Sequence, residues 1–141
     1  MEVAETDDVV VVNGDTMFNV PLQQLKKFHA DHKAETTLAL KKMFRFDRYG
    51  IVNTAPSGVI TSFDEKQFRE EGTINGGVYF INREAFLKRN LPPKLSFEKD
   101  YLEKFAAQKR FCGFVSDNYF IDIGVPGDYE QVQKDFKTIF R

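Results

Sequence analysis

The 141-residue chain has no tryptophan, a single cysteine and almost no charge imbalance. Each shortage excludes something. Cys112 has no partner for an internal disulfide, and its neighbours Phe111 and Phe114 point to a buried thiol. Twenty basic residues stand against 21 acidic ones, a formal charge of −1, so the basic surface that neutralises nucleic-acid phosphates is missing. The longest aliphatic run, Val9-Val10-Val11-Val12, is far too short to cross a bilayer. The opening Met1-Glu2-Val3-Ala4-Glu5 has neither the basic region nor the apolar stretch of a signal peptide. The expected setting is the cytoplasm, with neither nucleic acid nor membrane as partner.

What is present supports a folded core. Hydrophobic residues make up 42% of the chain and 15 of the residues are phenylalanine, enough to drive collapse of one domain over residues 1–141. There is no internal repeat, low-complexity tract or linker.

The β-branched run at 9–12 predicts a strand buried on both faces, as in parallel sheets. It ends at Asn13-Gly14-Asp15, and a helix follows with Asn19 as its cap, Pro21 in its first turn and Leu22, Leu25 and Phe28 on one face. Residues 35–41 supply the next strand. Strands at 50–53 and 59–63 flank the turn Pro56-Ser57-Gly58 as a hairpin. A further strand is expected at 77–81, helices at 83–89 and 97–108 with Ser96 capping the second, and strands at 111–115 and 119–122. A last helix carries Tyr129, Val132, Phe136, Ile139 and Phe140 on one stripe behind Pro126. Alternating strands and helices predict an α/β fold, a mixed and mostly parallel sheet with flanking helices, in which ligands sit beyond strand ends such as those carrying Asp15 and Asp122.

Two carboxylates meeting over one crevice can hold Mg²⁺ while phosphates and water complete its oxygen shell. Taken alone, Asn13-Gly14-Asp15 reads first as a plain turn, since Gly and Asp suit its backbone angles. His29 and His32, three apart on the first helix, have no third ligand near them and read as structural.

Further motifs follow in order: Arg48-Tyr49-Gly50, Phe63-Asp64-Glu65-Lys66, Ile74-Asn75-Gly76-Gly77-Val78-Tyr79, Ser96-Phe97-Glu98-Lys99-Asp100, and Phe120-Ile121-Asp122-Ile123-Gly124-Val125-Pro126-Gly127-Asp128-Tyr129. With Asn13-Gly14-Asp15-Thr16 ahead of them, this order resembles the sugar-phosphate nucleotidyltransferases. It looks most like the mannose-1-phosphate guanylyltransferase branch, including the heptose-1-phosphate enzymes, over residues 8–136. The resemblance implies a truncated Rossmann-like fold and a reaction in which a sugar 1-phosphate attacks the α-phosphorus of a nucleoside triphosphate, by family GTP, releasing pyrophosphate. It implies Asp15 and Asp122 as catalytic metal ligands for Mg²⁺, and Lys66 on the phosphate of the sugar phosphate. It further implies Gly50, Asn75 and Gly77 along the sugar, the glycines admitting it where a side chain would block it, and Glu98 on its hydroxyls.

Other readings stay open beside these. Lys66 sits in a charge run with Glu65, Arg69, Glu70 and Glu71, and Gln67 stands where the family usually has proline. Gly76 and Gly77 fit a strand bend, and Glu98 fits a first-turn acid at a helix dipole.

The family's Gly-rich triphosphate loop does not precede Asn13, and twelve residues cannot contain it. Met1 is then an internal methionine, an artificial boundary or the start of a truncated gene. The isolated chain is expected to be inactive, to take a triphosphate only if that segment is supplied, and to pair as a homodimer through the strand at 9–12. The alternatives are a non-catalytic module that binds sugar phosphates or serves assembly, and a flavodoxin- or receiver-like domain using Asp7, Asp8 and Asp15, which leaves the motif at 121–129 without an explanation.

Overall fold

The valine run forms strand β1, Asp8–Val12, at one edge of a four-stranded sheet in the order β1-β6-β3-β7. Here β3 is Thr36–Phe46, β6 is Arg69–Asn82 and β7 is Phe111–Ser116. The computed structural model describes residues 8–14, 16–94 and 96–122. The helix expected behind Pro126 lies outside the described residues.

The α/β class and mixed sheet are as expected, but the mostly parallel pairing needs correction. Among the described residues only β3 and β7 run parallel, whereas β6 is antiparallel to both β1 and β3. Nor is β1 buried on both faces. Val11 packs against the core, while Val10 and Val12 are 42% and 63% exposed. A β-branched run favours extended backbone, but it does not encode how many neighbours the strand acquires.

The helix α1, Leu22–His32, covers one sheet face. Its N-cap is Pro21, not Asn19, and no side chain caps it. The fixed φ of Pro21 starts the first turn, and the Leu25 amide closes it on the Pro21 carbonyl at 3.0 Å. Leu25 is fully buried among Val20, Ala39, Val78 and Phe80, a burial of about 2 kcal/mol. Leu22 stays exposed, and its expected place on the apolar face goes instead to His29, whose ring Nδ1 meets the Thr37 hydroxyl at 2.7 Å. The His32 ring bonds the Phe28 and Ser57 carbonyls at 2.8 and 3.1 Å, so both histidines serve packing as expected.

The opposite face carries the main core: Leu38, Leu40, Tyr79, Ile81 and Phe111 of the sheet under Tyr101 and Leu102. The expected hairpin is present as β4, Val52–Thr54, and β5, Ile60–Phe63, and also packs there. Its turn reaches the outer edge of β7, where the Gly113 amide donates to the Gly58 carbonyl at 2.8 Å and Val59 bridges Cys112.

After α2, Arg83–Leu87, capped by the Asn82 side chain, the chain is helical over 97–108 as expected, but it opens as a π-helical segment, Phe97–Glu103. A single-turn 3₁₀ piece, Ala106–Gln108, follows. Ser96 caps the segment as expected, taking the Lys99 amide at 3.2 Å. Its wider turn brings the adjacent Tyr101 and Leu102 into the core together.

Two short strands, β2, Thr16–Phe18, and β8, Phe120–Asp122, pair antiparallel beside the sheet.

Candidate functional site

Where β3 and β6 run on past the main core, still paired, a small cluster of Phe46, Ile51 and Ile74 forms on them, with Tyr49 and Phe120 against it. A cleft of about 510 Å³ opens above this floor. The loop between β3 and β4 contributes Arg48, Tyr49 and Gly50, and the loop between β5 and β6 contributes Asp64, Glu65 and Lys66. Asn75 of β6, Glu98, Lys99 and Glu103 of the π-helical segment, and Asp122 at the end of β8 complete the walls.

Gly50, Lys66, Asn75, Glu98 and Asp122, singled out in separate motifs, thus share one cavity. Asp15 lies outside the described residues. Its neighbour Thr16 lines the same cleft and stands opposite Asp122 in the β2–β8 pair.

Gly77 is not in the cleft wall. Its φ of +80° and its surroundings explain the glycine: a Cβ would stand 2.5 Å from the Thr16 hydroxyl and 2.9 Å from the Asn13 amide. That space is taken by the protein's own atoms. Between the pairs Leu38–Tyr79 and Leu40–Asn75 the ladder skips, so the stretch containing Gly76 and Gly77 is a bulge in β6.

The same holds for Gly50, although it does line the cleft. A Cβ there would lie 2.1 Å from the Asp64 carbonyl oxygen, so this glycine lets two loops touch. The Asp64 amide donates to the Ile51 carbonyl at 2.8 Å, and its carboxylate takes Arg69 at 3.1 Å. These bonds brace the strand of loop that bears Lys66.

Asn75 is held at both ends. Its amide nitrogen donates to the Tyr79 hydroxyl at 2.8 Å, and its carbonyl accepts the Gly77 amide at 2.9 Å.

Tyr49 also lines the cleft, although its motif implied no role for it. Its hydroxyl donates to Asp122 Oδ2 at 3.0 Å, and its ring meets Phe120 edge-on. Arg48 lies over the Tyr49 ring at 5.5 Å. The signal was the adjacency Arg48-Tyr49-Gly50, which placed all three on one loop.

No group of three or more metal-ligating side chains occurs among the described residues. The donor set in the cleft is carboxylate and amide oxygen, hard ligands that suit Mg²⁺ when phosphates and water supply the remaining positions. The described residues include no helix long and apolar enough to cross a membrane.

This arrangement can seat a compact, multiply hydroxylated anion, with cations for its charge and carboxylates for its hydroxyls. The family model for nucleotidyl transferases matches residues 1–138. The D-glycero-alpha-D-manno-heptose 1-phosphate guanylyltransferase of Aneurinibacillus thermoaerophilus is 51% identical over 131 residues, 93% of this chain and 56% of that protein. The enzyme of the same name from Campylobacter jejuni is 44% identical over 87% of this chain and 53% of its own length. Mannose-1-phosphate guanylyltransferase 1 of Arabidopsis thaliana is 33% identical over 84% of this chain and 33% of its own. The crystal structure of HddC from Yersinia pseudotuberculosis superposes with a TM-score of 0.81 at 29% identity, covering 96% of this chain and 58% of that one. The chain therefore spans about half the length of the two heptose 1-phosphate relatives. On its sequence and its fold together, it belongs to the sugar-phosphate nucleotidyltransferase family.

Proposed function

We propose that the cleft is the sugar-phosphate half of a guanylyltransferase active site, and that the whole protein to which this chain corresponds joins a sugar 1-phosphate to GTP with release of pyrophosphate. The observation that carries this reading is the convergence of Gly50, Lys66, Asn75, Glu98 and Asp122 on one cavity from five separate segments. In this reading Lys66 binds the phosphate, Glu98 accepts from the sugar hydroxyls, and Asn75 contacts the sugar. Gly50 and Gly77 shape the backbone around them.

Asp122 and Asp15 would hold Mg²⁺. Bound there, the ion would neutralise phosphate charge. The Tyr49 hydroxyl orients the Asp122 carboxylate, and the β2–β8 pair holds the carboxyl end of β8 against Thr16. Catalysis of this kind rests on positioning and charge neutralisation.

A second reading, a sugar-phosphate-binding module without turnover, draws on the same observation, because none of the assigned residues supplies a triphosphate cradle. Titration calorimetry with mannose 1-phosphate and pyrophosphate release in the presence of GTP and Mg²⁺ separate the two. The 141-residue chain is expected to bind the sugar phosphate weakly and to release no pyrophosphate. Lys66→Ala should weaken binding about ten- to hundredfold, the worth of one charge-assisted hydrogen bond. Wild-type affinity in Lys66→Ala would remove the phosphate assignment, and turnover by the chain alone would overturn the module reading.

The proposal includes self-association as a symmetric dimer through β1. The exposed Val10 and Val12 and the lack of a second neighbour for β1 among the described residues support it.

A further inference from the structure

A buried polar network lies on the far side of the cleft wall and takes no part in the site described above. Glu35, just before β3, is almost fully buried, and the Arg89 guanidinium grips its carboxylate in a fork at 2.7 and 3.1 Å. The Tyr101 hydroxyl donates to the same carboxylate at 2.6 Å and meets the Thr36 hydroxyl at 2.6 Å. The face of Arg89 rests on Phe105 at 4.3 Å. Burial, reinforced by the bond to Glu35, pushes the Tyr101 phenol far above its usual range, so it remains a donor at every physiological pH.

Such a network is a poor way to gain stability. Desolvating a carboxylate and a guanidinium costs several kcal/mol, and apolar side chains of similar volume often do as well. What directional bonds supply and apolar packing does not is a defined orientation. Tyr101 belongs to the π-helical segment, whose outer side presents Glu98, Lys99 and Glu103 to the cleft. The inner side is tied by Tyr101 to the start of β3 and, through Glu35, to the stretch after α2. Phe97, beside Glu98, packs edge-on against Tyr79 at 4.8 Å, and Tyr79 in turn holds Asn75.

We propose that Tyr101, clamped by Glu35, Thr36 and Arg89, is a positioning residue that sets the π-helical wall, and with it Glu98, for recognition of sugar hydroxyls. This rests on the reading of Glu98 as the hydroxyl contact. Lys66 stands on a different loop and owes nothing to the clamp. Loss of the clamp should therefore weaken the hold on the sugar while leaving the hold on phosphate intact, a split that a purely structural role would not produce.

The test compares mannose 1-phosphate with inorganic phosphate by titration calorimetry on the full chain, with wild type, Glu98→Gln, Tyr101→Phe and Thr36→Val. Wild type should prefer the sugar phosphate. Glu98→Gln and Tyr101→Phe should each reduce that preference by about tenfold with phosphate affinity unchanged, and Thr36→Val should move it in the same direction. Wild-type preference in Tyr101→Phe, alongside a reduced one in Glu98→Gln, overturns the inference alone. An unchanged preference in Glu98→Gln overturns the reading beneath it, as does a wild-type chain that binds neither ligand. If circular dichroism shows Tyr101→Phe unfolded, Thr36→Val decides: an unchanged preference there overturns the inference.

Discussion

Replacing Gly50 with alanine puts a methyl carbon 2.1 Å from the Asp64 carbonyl oxygen and 3.3 Å from its carbon, where real contacts do not fall below 3.0 Å. The obstacle is backbone, so no side-chain rotation relieves it. The two loops must part by about 1 Å, and overpacking of this kind costs about 1–3 kcal/mol. For a chain of this length that is a fall in melting temperature of about 3–10 °C. The strain will not stay local. The Asp64 amide is bonded to Ile51 and its carboxylate to Arg69, and Lys66 follows two residues later. Displacing that loop should weaken mannose 1-phosphate binding by about tenfold or more, given how steeply function depends on a 1 Å misplacement. Gly14→Ala is the internal control, because its Cβ would meet nothing within 4 Å. Differential scanning fluorimetry and calorimetry on both variants measure the effects. A Gly50→Ala protein that melts and binds like wild type would refute the steric account of this glycine.

A lysine at Val12 should dissolve the proposed dimer at little cost to the fold, whereas a lysine at Val11 faces the core and should lower the melting temperature instead. Light scattering after size-exclusion chromatography reports the state, and a wild-type monomer at tens of micromolar would end the dimer proposal. Burial pushes the His29 imidazole below its ordinary value of 6.5, outweighing the Asp8 carboxylate at 3.4 Å that raises it. The unfolded chain therefore takes up the proton first as pH falls below that value, and stability should decline on acidification by at most about 1.4 kcal/mol per pH unit from this group. Melting curves of wild type and His29→Asn between neutral and mildly acidic pH should differ in slope, and parallel curves would refute this.

Much of this was legible because some signals are local. Pro56-Ser57-Gly58 dictates a turn whatever surrounds it, and Ser96 before a run of helix formers dictates a cap. The convergence of the candidate residues on one cavity was legible for another reason: motifs in a fixed order carry the geometry of a fold without any one of them specifying it. The edge position of β1 followed from the resemblance, but the exposure of Val10 and Val12 was not legible, because what covers a strand's faces is a property of the assembled sheet. Nor was the clamp of Glu35, Arg89 and Tyr101, whose members are far apart in sequence and individually look like surface charge and core aromatic. Gly50 and Gly77 were flagged as places where a side chain is excluded, and the structure supplies a reason within the chain itself. Sequence records that a side chain is excluded and is silent on whether a ligand or the chain's own carbonyl occupies the space.

The two borders of the four-stranded sheet are unequal. On the outer side of β7, Gly58 already takes the Gly113 amide and Val59 bridges Cys112, so an incoming strand would find its path blocked midway. The border at β1 has no such guard among the described residues. A sheet able to add strands at both borders can polymerise without limit, copy upon copy. One able to add at a single border can only meet the same border of another copy, and growth stops at two. If copies pair through β1 as proposed, the hairpin that helps wall the cleft would also act as a chain terminator, letting the valine strand associate without seeding a fibre.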